Sequence, residues 1–379
     1  MRKASIYEVS PGDELAVTIK VHSPHPDTLY KIRLEEGTAL TREQINRLRE
    51  AGQDYVLVKD PYTEDLDEFM HDEELAAVEE DITREINKIE TQVKEEKFSR
   101  MNTKKLRRTV EELLEALKDS RVMAAFTTLK SHDDYTAKHS LDVCRLSLAF
   151  TLRYREEMIT RLQDTSGASD LSAEKYLFND LGMGGILHDI GKWKLPGEVL
   201  NKSSDLAPQE WQAIKKHPQM GHELITKFQK ENTLRAPVKI TALCHHEKFS
   251  GEGYPEGLSG RDIHLYGRLA ACCDVYSALT SQRPYRVEMT PNRALETMRS
   301  MQEEDNHFDP ELLDMFLDFL NPFPPGQEII LSDGRRGVVS EITDDKNKPV
   351  VRILFRANKR IDSPYEIRAN TEDGPEIIN

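Results

Sequence analysis

The stretch Gly185-Ile186-Leu187-His188-Asp189-Ile190-Gly191-Lys192 constrains this chain most. An apolar run ends on an adjacent imidazole and carboxylate, and a glycine and a lysine follow at once. Ionisable groups at the end of an apolar run are costly to bury unless they are paired or bound to a metal. The fold must therefore bring compensating groups to this point. A neutral imidazole nitrogen suits a borderline metal. An aspartate offers two oxygens and can bridge two ions about 3.5–4 Å apart. Gly191 lets the backbone turn or approach a ligand closely. Lys192 sets a mobile cation, suited to a phosphate, beside the pair. Taken alone, such a dipeptide is more often a capped or solvated helix end, because short motifs recur by chance.

The same arrangement recurs along the chain. From about Arg121 to Leu320 the pattern is almost wholly helical, punctuated at Gly167, Pro208, Pro218, Pro237, the loop 251–260 and Pro291. Thr290 before Pro291 and Asp309 before Pro310 are helix starts. Within this region His139 sits among Leu141, Val143, Leu146 and Leu148. His217 precedes Pro218, where a helix should break. His245-His246 ends the apolar run Ile240–Cys244, and Asp274 ends Leu269–Cys273. Seven His and Asp groups are so placed, and an all-helical bundle can build a dinuclear centre from such groups on facing helices. His22, His25, His71, His132, His222, His264 and His307 are read as ordinary core or surface histidines.

Residues 1–62 read as a small α+β domain. Leu15–Val21 and Leu29–Leu34 have strand character, Thr41 opens a helix with Gln44 completing a capping box, Gly52 closes it, and Tyr55–Val58 is a last strand. No catalytic pattern lies there, and a regulatory or packing role is expected. Residues 63–120 are an acidic linker and amphipathic helices. Ten acidic residues and no Lys or Arg lie between Glu64 and Asp81. Val78, Ile82, Ile86, Ile89 and Val93, then Leu106, Val110, Leu113 and Leu117, form apolar stripes. Over residues 78–118 these suit a homodimer of paired helices and, equally, a hairpin packed on its own domain. Residues 121–322 are the main helical domain. Residues 323–379 are a short β extension, with strands at Gln327–Leu331, Val338–Ile342 and Val350–Phe355 and no chemistry. The fold class is mainly α: an all-helical bundle between a small α+β domain and a β extension.

A net charge of −15 leaves no basic footprint for a DNA or RNA polymer. An anionic ligand must then be met by local cations or metals. No run of 18 apolar residues exists, so no membrane insertion is expected. The N-terminus lacks a signal-peptide pattern, and the expected location is the cytoplasm. Cys144, Cys244, Cys272 and Cys273 lack metal-type spacing and read as reduced core residues.

The motifs come in a telling order. His139 is followed by His188-Asp189-Ile190-Gly191-Lys192, His217-Pro218 and His245-His246-Glu247-Lys248-Phe249-Ser250-Gly251-Glu252-Gly253-Tyr254-Pro255. Asp274-Val275-Tyr276-Ser277-Ala278-Leu279-Thr280-Ser281 and Arg283-Pro284-Tyr285-Arg286 come last. This series resembles the HD-GYP family, a subgroup of the HD-domain metal phosphohydrolases, over about residues 121–320. Residues 1–62 also look like the small domain found ahead of HD-GYP modules.

The resemblance implies an HD-type bundle with a dinuclear metal site. It implies hydrolysis of cyclic di-GMP, a bacterial second messenger, to the linear dinucleotide pGpG and in some members on to GMP. By the family's pattern His139, His188, Asp189 and Asp274 would hold one ion, and Asp189, His217, His245 and His246 the other, with Asp189 bridging. The family uses iron or manganese, and His and carboxylate donors fit both, as they fit zinc. Asp189 and Lys192 are the expected catalytic residues. Lys192, Arg283 and Arg286 would meet the phosphates. Tyr254 would offer a hydroxyl and an aromatic face to substrate, with Gly253 and Pro255 shaping its loop. Some members carry Glu four residues before the first His ligand, together with a third metal. Tyr135 stands here instead, a phenol is a poor ligand at neutral pH, and Asp133 and Asp134 lie off that helix face. Two ions are therefore expected. Two rival readings stay open: a cyclic-dinucleotide sensor that has lost turnover, and an HD phosphohydrolase acting on a different cyclic dinucleotide. The complete ligand set speaks against the first.

Overall fold

The helical stripes and short β runs are realised as two units. The computed structural model describes residues 1–21, 32–51, 53, 55–97, 103–118, 135–166, 171–200, 202, 207–231, 234–281, 288–357 and 359–378. The first unit draws on both ends of the chain, Met1–Asp72 and Asn321–Asn379. Near the N-terminus β1 (Arg2–Ser5) pairs antiparallel with β4 (Tyr55–Val58), and β2 (Ile19–Val21) with β3 (Ile32–Leu34). These last two are shorter than the sequence pattern: residues 15–18 form only an isolated bridge at Leu15 and bends, while residues 29–31 and Gly52 lie outside those described. Helix α1 (Arg42–Glu50) starts at Thr41, whose hydroxyl accepts from the Gln44 amide at 3.2 Å while Gln44 accepts from the Thr41 amide at 2.8 Å. That reciprocal cap satisfies two orphan donors. It fixes the helix so that Ile45 and Leu48 join Ala4, Ile6, Val56 and Val58 in one core.

Near the C-terminus β5 (Glu328–Ile330), β6 (Arg335–Glu341), β7 (Val350–Arg356) and β8 (Lys359–Arg368) form an antiparallel sheet in that order. Strand β8 is an edge strand whose side chains are mostly exposed, so it carries no apolar alternation in sequence, and it tolerates Pro364. Ion pairs tie the two ends together. Arg352 makes a bidentate pair with Asp65 at 2.6 and 2.8 Å, and Arg360 reaches Asp60 at 2.6 Å. Arg2 lies 3.3 Å from both Asp60 and Glu328. The ends that the sequence presents as two separate segments are thus one unit; contacts between residues some 300 positions apart leave no local signature.

The second unit holds helices and connecting loops, with no strand among its described residues. Helices α2 (Glu73–Lys94) and α3 (Thr103–Ala116) pack on each other, and Ile82, Ile86, Ile89, Val93, Leu106, Val110 and Leu113 are buried. They also meet α4 (Tyr135–Arg153) and α6 (Leu171–Leu187), which precede and follow α5 (Arg155–Ser166). Of the two arrangements the stripe allows, the hairpin on its own domain is the one formed within this chain. Buried Glu85 clips the hairpin by accepting from Lys88 at 2.7 Å and Lys105 at 2.6 Å.

After the short helical turn Gly197–Leu200, the longer helices are α7 (Pro208–Ile214), α8 (His217–Glu231), α9 (Ala236–Cys244), α10 (Leu265–Thr280), α11 (Pro291–Asp305) and α12 (Pro310–Phe319). Helix α10 is buried almost all round and packs on α4 and α9, while α8 packs on α9 and α9 on α6. A helix apolar on every face belongs at the centre of such a bundle. Pro218 does not break a helix; α8 begins at His217, and the proline occupies its first turn, where a missing N–H costs nothing.

Candidate metal centre

Five of the seven His and Asp residues meet because helix ends converge, and His139 and Asp274 join them from within α4 and α10. His188 and Asp189 follow the last residue of α6, His245 and His246 the last of α9, and His217 opens α8. Helix C-termini leave carbonyls without intrahelical partners, and these imidazoles use them. Nδ1 of His188 donates to Gly185 O at 2.6 Å, that of His217 to Ile214 O at 2.8 Å and that of His245 to Ala242 O at 3.0 Å. A carbonyl only accepts, so the proton sits on Nδ1 and the Nε2 lone pair is presented inward. His139 lies inside α4, and its Nδ1 turns to Ser277 Oγ of α10 at 3.0 Å instead.

Asp189 is at the middle. Its Oδ1 lies 3.2 Å from His217 Nε2 and 3.6 Å from His245 Nε2. Its Oδ2 lies 3.4 Å from His188 Nε2, 3.8 Å from His139 Nε2 and 2.6 Å from Lys192 Nζ. Asp274 likewise faces both ways, with Oδ1 2.8 Å from His139 Nε2 and Oδ2 3.9 Å from His246 Nδ1. Two sets of donors result: Asp189, His217, His245 and His246, and His139, His188 and Asp274, each with donor atoms within 4.8 Å of one another.

The donors suit a cation. His217 Nε2 and His245 Nε2 lie 3.2 Å apart. With both Nδ1 protons committed to carbonyls, two lone pairs face each other, which is repulsive without a positive species between them. His188 Nε2 and Asp189 Oδ1 are buried and make no hydrogen bond. Such groups are costly unless a ligand engages them.

Protonation states agree. Burial pushes His245 down to about 4, against the pull of Asp189. Burial, with neighbouring His245, holds His246 well below its ordinary range. Burial alone would raise the Asp189 carboxyl, but Lys192 and His188 outweigh it and hold the group well below the usual carboxylate range. Asp274 is lowered in the same way, with His139 overcoming burial. Burial opposes protonation of His188, yet the Asp189 charge raises its pKa. Anionic Asp and neutral His245 and His246 are the forms that ligate metals.

Gly191 serves backbone approach. A Cβ there would lie 2.0 Å from His217 O and 2.7 Å from Gly221 N, so only glycine lets the turn Ile190–Lys194 lie against α8. The close approach expected at this glycine is therefore to a helix. Gly253 does the same in the next loop, where a Cβ would meet Lys248 N at 2.2 Å.

Tyr254 donates its amide to His246 O at 3.1 Å, and its ring stacks on the His246 imidazole at 4.8 Å and 28°. One face of the phenol is thus occupied by a metal-site histidine. The Tyr254–Pro255 peptide is cis. Buried Glu247, a residue the sequence reading passed over, organises this loop: its carboxylate accepts from the amides of Glu256 at 2.8 Å and Leu258 at 3.0 Å. Arg283 and Arg286 lie outside the described residues, as do Asp133, Asp134 and the side chain of Tyr135. The four cysteines are free and buried, and Cys244 contributes to neither donor set.

Residues 149–312 match the family model described as HD domain. His139 precedes that span, so its place beside the others rests on geometry. The cyclic di-GMP phosphodiesterase PA4108 of Pseudomonas aeruginosa is 33% identical over 252 residues, 66% of this chain and 55% of that protein. The 3'3'-cGAMP-specific phosphodiesterase 2 of Vibrio cholerae is 36% identical over 137 residues, 36% of this chain and 26% of that one. The chain spans about half the length, or less, of the curated relatives it matches first. Among solved structures, Bd1817, a HDG"Y"P protein from Bdellovibrio bacteriovorus, aligns with a TM-score of 0.52 at 14% identity, covering 83% of this chain and 98% of that one. At that identity the likeness speaks for the fold alone. Among the described residues no helix is long and apolar enough to cross a membrane. The domain match, the curated relatives and the intact motifs agree that residues 149–312 of this chain carry an HD domain.

Proposed function

We propose that this chain is a metal-dependent phosphodiesterase that hydrolyses cyclic di-GMP to the linear dinucleotide pGpG, using two divalent ions, iron or manganese. The observation that carries the reading is the division of Asp189, with Oδ1 toward His217 and His245 and Oδ2 toward His139 and His188. One set of residues would be Asp189, His217, His245 and His246; the other His139, His188 and Asp274 with the second oxygen of Asp189. When bound, the ions would supply Lewis acidity to the phosphate and lower the pKa of a water.

The chain's residues do the rest. Lys192, tied to Asp189 Oδ2 at 2.6 Å, keeps that carboxylate anionic and stays 26% exposed, so its ammonium can also meet a phosphate oxygen. The carbonyl-held imidazoles keep their orientation without reorganising as charge develops, which is where preorganised sites gain most. Tyr254, stacked on His246, closes the side of the site that the loop covers. Attack by water at phosphorus breaks the bond to the 3′ oxygen, which takes up a proton and leaves a 5′-phosphate on the linear product.

A second reading, hydrolysis of another 3'3'-linked cyclic dinucleotide, is favoured by the likeness to a cGAMP-specific enzyme. Purified, metal-loaded protein incubated with a panel of cyclic dinucleotides, with products followed by chromatography, separates them. Turnover of cyclic di-GMP supports the proposal, turnover of another member alone supports the second reading, and tight binding without turnover makes the protein a sensor. Metal analysis after anaerobic purification identifies the ions. We further assign the first unit a regulatory role and the protein a cytoplasmic location, supported by four buried free cysteines.

A further inference from the structure

Between residues 73 and 320, Trp211 is the one large hydrophobic side chain among those described that is left exposed, at 44%. A lone exposed ring is ordinary in itself; its surroundings are not. Trp211 lies on α7, six residues before His217. Lys215 Nζ stands 5.8 Å from the Trp211 ring centre and 5.3 Å from that of Tyr254. Tyr254 in turn stacks on His246 at 4.8 Å. A ladder therefore runs outward from the metal donors: imidazole, phenol, ammonium, indole. The ring-to-ring step fits the spacing of stacked rings, roughly 4.5–7 Å, and both ammonium steps fall within the roughly 6 Å reach of a cation over an aromatic face.

The ladder is held in place. Glu210 caps α7 by accepting from the Ala207 amide at 2.6 Å and from Lys202 at 2.5 Å. Among the described residues Lys215 makes no ion pair with a carboxylate, in a chain whose net charge is −15. An uncommitted ammonium between two aromatic faces, beside a phosphodiester site, suits a ligand that is both aromatic and anionic.

We propose that Trp211 and Lys215 form a nucleotide subsite at the rim of the metal centre. The indole face stacks a purine of the bound dinucleotide, and the Lys215 ammonium meets the phosphate that is not being cleaved. The subsite rests on the reading of the centre as a cyclic-dinucleotide phosphodiesterase, and it names the residues that would favour a nucleotide over a simple phosphodiester.

The test uses the full metal-loaded chain and the variants Trp211→Ala, Trp211→Phe, Lys215→Ala and Lys215→Arg. Cyclic di-GMP is titrated against tryptophan fluorescence; the other tryptophan, Trp193, follows Lys192 and is 4% exposed, so the quenching that Trp211→Ala removes is the part that reports on Trp211. Steady-state rates are compared for cyclic di-GMP and bis(4-nitrophenyl) phosphate, which carries no purine, and the metal-to-protein ratio is followed throughout. Stacking a base on an aromatic ring changes affinity about tenfold or more. Trp211→Ala should therefore lower kcat/KM for cyclic di-GMP about tenfold further than for bis(4-nitrophenyl) phosphate, chiefly through KM. Trp211→Phe and Lys215→Arg should recover most of the loss. Quenching in the wild type without turnover supports the subsite and sinks the activity. Turnover with Trp211→Ala binding as tightly as wild type sinks the subsite and leaves the activity standing. No quenching in the wild type, or equal losses on both substrates, also overturns the subsite.

Discussion

Asp189 presents one oxygen to each set of imidazoles, so its removal acts on both at once. Asp189→Ala should hold far less metal than the wild type, read as a metal-to-protein ratio, and retained metal with full activity would refute the assignment. Lys192→Ala tests a different property. Its ammonium is not a metal donor, and a charge-assisted hydrogen bond is worth roughly 1.5–3 kcal/mol, so kcat/KM should fall by about one to two orders of magnitude with metal retained. His264 offers a pH prediction away from the metal donors. Its Nδ1 accepts from the Tyr266 amide at 3.2 Å at the start of α10, a role open only to the neutral ring. Burial, helped by Arg268, pushes its pKa from 6.5 down to about 4. A folded-state pKa below the unfolded one gives stability that is complete above pH 6.5 and is lost as pH falls through 4. The loss would be about 3 kcal/mol. His264→Asn keeps a capping side chain but does not titrate there, so its melting temperature should vary less over that window. An unchanged slope would exclude His264 as the cause.

At the scale of elements, the loop after α9 and the hairpin α2–α3 make separate claims. Glu247 belongs to neither donor set, yet it holds the backbone that carries Tyr254. Glu247→Ala should leave metal bound while the Glu256 and Leu258 amides lose protection from hydrogen exchange. Loss of metal in that variant would mean the loop supports the centre itself. In the hairpin, Ile86 is fully buried, and Ile86→Ala should cost about 2–5 kcal/mol. The mass in solution, by light scattering, should not change; a shift would mean the stripe also serves an interface between copies. These elements show what sequence makes legible. The stripe was readable because a helix repeats every 3.6 residues, but a coiled coil and a hairpin bury the same face, so its partner was not. The seven metal-site residues were readable as charges ending apolar runs. Which oxygen of Asp189 faces which histidine was not, since that depends on how three helix ends meet. Glu247 gave no signal beyond its place after two histidines, because its partners are backbone amides nine and eleven residues on.

For the whole molecule the deciding fact is that one unit is made from both ends of the chain. Asp60, 2% exposed, pairs with Arg2 near its own strand and with Arg360 on the far end of the sequence. Removing one partner of a buried pair costs about 3–5 kcal/mol. Asp60→Ala should therefore lower the calorimetric transition of the first unit and leave metal content at the second unchanged; a drop in bound metal would show that the two units unfold as one. The arrangement has a further consequence for how the protein comes apart. Among the described residues the backbone leaves the first unit at Asp72 and re-enters it at Asn321. A protease that nicks only the first of these junctions releases nothing. The cut piece stays seated on the C-terminal sheet, which is still covalently joined to the helices. Such a sample would run as two bands on a denaturing gel and elute as one species from a sizing column, until the second junction is also cut.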